Sequence, residues 1–141
     1  MRLVLLALSV LALASATEAH AAFPVEIDSS GQDTTGNRFV FALKERIRST
    51  SSLDMTFDES KPRMLVIIAT LNPAGTSNSS FTAFSIVITW KDPTLPYPLY
   101  ITSYVGSVGK AYLQEAADAE AAKISEQADH LTRLWQNRPQ R

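Results

Sequence analysis

Cysteine is absent from all 141 residues. No disulfide can staple the fold, no thiol nucleophile or thiolate metal site can form, and no lipid can be attached to a cysteine beside a cleavage site. Stability must therefore come from packing. Charge of one sign is also lacking, since 13 basic against 14 acidic residues leave a formal net charge of −1. Lysine and arginine are dispersed apart from Lys44, Arg46 and Arg48, whereas a nucleic-acid binder needs a basic stripe. That trio reads as the solvated face of a helix. Beyond Ala14 no apolar run is long enough to span a bilayer.

What is present begins with an address. Arg2 gives a positive start, Leu3 to Ala14 is an apolar run too short to cross a membrane, and Ala19-His20-Ala21 has the small-x-small form of a cleavage site. Residues 1–21 are expected to be a cleavable signal peptide, and residues 22–141 a single small α/β domain with a long C-terminal helix. The protein is expected to be exported, with the periplasm as its compartment and secretion beyond the cell as the alternative. Roughly 120 residues suffice for one core that buries most of its own surface.

Local periodicity supplies the elements. Val25 and Ile27 alternate with Glu26 and Asp28, a short strand that the polar stretch Ser29 to Thr35 should break. Thr34 or Thr35 can cap a helix in which Gly36, Val40, Leu43 and Ile47 recur at helical spacing. Leu53, Met55 and Phe57 alternate with polar residues as a half-buried strand ending at Asp58. Met64 to Leu71 is nearly continuous apolar sequence, the pattern of a central strand buried on both faces. In Phe81 to Trp90 the residues Phe84, Ile86, Ile88 and Trp90 share one face. Pro93, Pro96 and Pro98 then force a loop. Tyr100 to Val105 resumes the strand pattern, and Gly106-Ser107-Val108-Gly109 should open a long helix. Its apolar stripe is Leu113, Ala117, Ala121, Ile124, Ala128, Leu131 and Trp135, with Pro139 past its end. At about 1.5 Å per residue such a helix outreaches a typical strand and should overhang the sheet.

The expected fold class is thus α/β (α+β): a two-layer sandwich with a four- to five-stranded, mostly antiparallel sheet and two helices on one face, in the order β-α-β-β-β-β-α. The succession of Val25 to Asp28, a helix opened by Thr35-Gly36, a strand meander and a closing helix resembles the periplasmic domain at the N-terminus of TolB. It is also similar to the outer-membrane lipoproteins that activate penicillin-binding proteins. The resemblance lies in element order over most of the mature chain and implies work in envelope assembly. This chain departs from the lipoproteins in having no lipid-accepting cysteine, and from TolB in having no propeller behind the domain. No functional residue is carried over.

No constellation amounts to a catalytic motif. His130, the one histidine left after signal removal, sits off the apolar stripe beside Asp129. Asp28, Asp33, Asp54 and Asp58 would serve a hydrolase only if two of them met with separated pKa values. Turn and strand-edge chemistry accounts for them more simply. Gly106, Gly109 and Lys110 before a helix form a candidate anion site without the spacing of a phosphate loop. Asn78-Ser79-Ser80 matches a glycosylation acceptor in a serine-rich loop. The aromatic set Tyr97, Tyr100 and Tyr104, with Leu131 and Trp135 near the chain end, forms the candidate interaction surface, because exposed apolar patches of this kind mark contacts. The expected role is a non-catalytic interaction or accessory module of the cell envelope, with a protein partner or self-association and without cofactor, metal or nucleic acid. The alternatives are a small exported hydrolase using aspartates or a serine, and an anion-binding or small-ligand-binding protein.

Overall fold

A computed structural model describes residues 21–31, 33–76 and 80–136. The leader up to residue 20, most of the Asn78-Ser79-Ser80 sequon and Pro139 lie outside the described residues. The element order is β1 (Phe23–Gly31), α1 (Thr34–Ser49), β2 (Leu53–Met55), β3 (Arg63–Leu71), β4 (Phe81–Lys91), β5 (Leu99–Gly109), a 3₁₀ turn (Lys110–Tyr112) and α2 (Leu113–Gln136). The five strands form one mixed sheet in the order β2-β1-β3-β4-β5. Both helices pack together on one of its faces.

The strand order follows from where apolar sequence is concentrated. β3 carries the longest apolar run and occupies the centre, with β1 parallel on one side and β4 antiparallel on the other. The antiparallel meander expected from chain order comprises β3, β4 and β5. β2 instead lies beside β1 in a parallel ladder of three residue pairs, Phe23 to Leu53 through Val25 to Met55. β1 does not break at Ser29, because its ladder with β3 continues to the pair Gly31 and Thr70. A long neighbour outvotes local polarity here. β2 is shorter than expected, and Phe57 is exposed in the loop behind it.

On the helix-covered face, Val25, Met64, Val66, Ile68, Ile86 and Ile88 meet Phe39, Leu43 and Ile47 of α1 and Ala117, Ala121, Ile124 and Ala128 of α2. The small alanines let α2 approach closely, and Phe39 stacks on Phe84 with centroids 4.7 Å apart. Only half of β3 is doubly covered. At its start Arg63 is fully buried, whereas Ile67, Ala69 and Leu71 on the same face are exposed. The expected burial on both faces therefore does not hold for the far half of the strand.

Two helix ends differ from expectation. Asp33, not a threonine, caps α1: its carboxylate accepts from the Gly36 backbone N–H at 2.7 Å and from the Thr82 hydroxyl at 2.8 Å. The cap thereby ties α1 to β4 in a site where Asp33 is 2% exposed. Replacing Asp33 with alanine is expected to cost about 2 kcal/mol, the upper end for a helix cap. Urea unfolding checks this, and a cost below about 0.5 kcal/mol would mean that water replaces the carboxylate. Gly106 to Gly109, expected to open the last helix, instead continue β5, paired from Phe84 to Gly106 and from Phe81 to Gly109. Glycine is required at 106 because a Cβ there would stand 2.5 Å from the Phe84 ring.

The helix does not overhang. β4 and β5 each run to 11 residues, about 36 Å, and the 24 residues of α2 cover about the same length. Trp135 at its far end stacks on Phe23, with centroids 5.8 Å apart, and meets Trp90 edge-on at 4.2 Å.

Candidate interaction surfaces

The loop between β4 and β5 is built by proline and by one aspartate. Asp92 accepts from the Thr94 backbone N–H at 2.9 Å and from the Thr94 hydroxyl at 2.7 Å, while the Leu95 N–H donates to the Asp92 carbonyl at 3.0 Å. The two bonds from Thr94, the backbone one foremost, hold the Asp92 carboxyl below the usual carboxylate range. Pro93, Pro96 and Pro98 withhold backbone donors. The loop presents Leu95 and, 78% exposed, Tyr97.

β5 then enters the sheet through a bulge. Ile88 pairs with Thr102 and Thr89 with Tyr100, which leaves Ile101 as the extra residue. An extra residue reverses the alternation of faces. Tyr100 and Tyr104, which simple alternation would place together, consequently fall on opposite sides. Tyr100 is 67% exposed, and its hydroxyl shares a 2.9 Å hydrogen bond with Ser103 on the open face. Tyr104 packs under α2 with the Lys123 ammonium 5.0 Å from its ring centroid. Burial, and then the nearby Glu120 carboxylate, push the Tyr104 phenol well above its ordinary pKa, so it stays neutral. Lys123 in turn pairs with Glu120 at 2.9 Å. Tyr104 belongs to the seam between helix and sheet rather than to the exposed aromatic set.

Three of the five residues expected on an interaction surface do come together. Tyr100, Leu131 and Trp135 line one groove of about 810 Å³. Leu95, Leu99 and Leu134, which periodicity does not single out, complete its apolar wall. Leu134 lies one step off the stripe that meets the core, and 52% of it is exposed. Tyr97 stands in the adjoining loop outside that lining. A second hollow of about 660 Å³ lies on the open sheet face, where Leu71 of β3 and Ala83 of β4 meet Val105 and Ser107 of β5. The helix-free face is thus uncovered there among the described residues.

The candidate anion residues separate. Gly109 and Lys110 border a shallow hollow with Ser80, Ala111 and Tyr112, and the Lys110 backbone N–H is already spent on the Ser80 carbonyl at 2.7 Å. Gly106 lies further back along the strand beneath Phe84. The aspartates separate too. Asp33 caps α1. Asp58 is held below the usual carboxylate range by Ser60, hydroxyl first and backbone N–H second, with Lys61 adding to it. Asp28 and Asp54 are exposed on their strands, and His130 is exposed on α2. Among the described residues no cluster of three histidine, aspartate or glutamate side chains could hold a metal ion.

No family model matches the chain, and no curated protein matches it. Solved structures similar to it include the rare lipoprotein B of Shewanella oneidensis, 15% identical with a TM-score of 0.36, over 77% of this chain and 98% of that one. A minor lipoprotein of Acinetobacter baumannii is 12% identical with a TM-score of 0.36, over 74% of this chain and 90% of that one. At these values neither supplies a role for any residue here.

Proposed function

We propose that the chain is an exported, non-catalytic interaction module of the cell envelope, which receives an apolar segment of a partner protein in the groove between the β4–β5 loop and the end of α2. The observation that carries this reading is the groove itself. It gathers the exposed parts of Leu95, Leu99, Tyr100, Leu134 and Trp135 at one surface. Exposed apolar side chains gathered in a concave, aromatic-bearing patch with a polar rim are how docking sites are built. Export rests on the leader expected at residues 1–21, whose removal would start the mature chain at Ala22. Mass spectrometry of the exported protein reads that start directly.

The test is cross-linking of the tagged mature protein in the envelope of its own cell, compared with a Tyr100→Ser, Leu134→Ser variant. Both side chains are more than half exposed, so the variant should unfold at nearly the wild-type temperature. A discrete cross-linked species, at least tenfold weaker in the folded variant, is the expected result. Undiminished capture by that variant overturns the groove as the docking site.

A further inference from the structure

The edge formed by β5 has the opposite character from the other edge of the sheet. β2, at the far side, is three residues long and offers little backbone for pairing. β5 is 11 residues long, ends the sheet, and reads Leu-Tyr-Ile-Thr-Ser-Tyr-Val-Gly-Ser-Val-Gly. It holds no charge and no proline, the two devices that most often guard a strand edge. Its one irregularity, the bulge at Ile101, lies near its start and leaves Thr102 to Gly109 in unbroken register with β4. Val105, in the middle of that regular stretch, is 82% exposed on the helix-free face.

We propose that β5 is a self-association edge, which pairs antiparallel with β5 of a second copy about a two-fold axis through Val105. The sequence of the strand identifies the occupant, because it complements itself in this register. Val105 meets Val105 of the second copy, and Ser103 meets Ser107, so the open face gains an apolar pair flanked by hydroxyls. On the crowded face beneath α2, Tyr104 meets Gly106 and Thr102 meets Val108, so no two bulky rings are opposed. Centring the axis on Tyr104 instead would set two tyrosines against each other under the helices. All seven residues of the Val105 register fall after the bulge, and antiparallel geometry gives them about six or eight backbone hydrogen bonds. The interface is isologous, and of the two strands that end the sheet among the described residues only β5 is longer than three residues, so pairing through it closes at two. Two five-stranded sheets become one of ten strands with all four helices on one side. The inference is independent of the groove, which lies at the start of β5.

The absence of cysteine makes the test direct. In the purified mature protein, Val105→Cys should form a disulfide-linked dimer under mild oxidation, since residues facing each other across antiparallel strands stand within disulfide reach. Ile67→Cys, on the same open face but two strands in from the edge, should cross-link at least tenfold more slowly. Wild type should sediment as a concentration-dependent dimer. Val105→Lys, which sets two like charges on the axis, should be a monomer of unchanged melting temperature. A wild type that stays monomeric at several hundred micromolar overturns the proposal. So does a dimer that survives Val105→Lys, or one in which the two cysteine variants cross-link equally fast.

Discussion

Glu26→Ala is expected to lower the free energy of unfolding by about 3–5 kcal/mol, the cost of leaving a buried charge without its counter-ion. Arg63 opens β3 and is fully buried. Its Nε donates to the Glu26 carboxylate from the neighbouring strand, and one terminal nitrogen donates to the Lys61 carbonyl at 3.1 Å. Its other terminal nitrogen is shut away from solvent without a partner among the described residues. The Lys91 ammonium lies 3.9 Å from the same carboxylate, at its outer margin. Removing Glu26 therefore strands a guanidinium that cannot reach water and leaves two cations side by side. A second substitution separates this cause from simple loss of packing. Arg63→Met in the Glu26→Ala background removes the stranded charge while filling most of its volume, and it should recover the greater part of the loss, because apolar replacement of buried ion pairs is often neutral or better. Urea unfolding of the three proteins reads both effects. If Glu26→Ala costs less than about 1 kcal/mol, water reaches Arg63 and the burial argument fails.

Trp90→Ala should cost about 3–5 kcal/mol, the range for deleting a large aromatic from a core. Trp90 is 8% exposed at the end of β4, and its ring meets Phe23 at 5.9 Å and Trp135 at 4.2 Å. These three rings join the first strand, a central strand and the last turn of α2, so the cavity left behind is bounded by elements that cannot all close on it. Trp135→Ala should cost less, since that side chain is already 36% exposed. The chain has two tryptophans, so in the Trp90→Ala protein the emission of Trp135 alone reports on the end of the helix. It should move to longer wavelength well before global unfolding. An unshifted Trp135 spectrum together with a loss below about 2 kcal/mol would show that Leu131 and Leu134 hold the helix end by themselves.

The legible part of this fold was the part written in local periodicity. The alternation within β4 and the three-and-four stripe of α2 state both element type and buried face, and the apolar run of β3 states its type and central place, because side-chain direction within an element depends only on the element's own geometry. Strand ends were not legible. β1 runs through Ser29 and Ser30, and β5 through Gly106 and Ser107, because long partner strands supply hydrogen bonds whatever the local residues prefer. The interaction surface was half legible for a related reason. Tyr100, Leu131 and Trp135 are conspicuous as residues, but Leu95, Leu99 and Leu134 become wall only once the loop and the helix end lie side by side. Tyr104 shows the sharpest limit. One extra residue at Ile101 reverses the faces between it and Tyr100, and bulges leave little trace in composition.

The placement of β1 between β2 and β3 sets a constraint on the order in which the chain can acquire its structure. Both neighbours of β1 follow it in sequence, and its ladder with β3 joins residues about 40 positions apart, the kind of distant parallel pairing that forms slowly. β3, β4 and β5 can begin to assemble as a local meander, but β1 has only the three residues of β2 to pair with until β3 is available. A polypeptide emerging from its amino end would hold its first strand open until half of its length had followed. Such a chain commits to its native state late, an order that fits the export proposed for it.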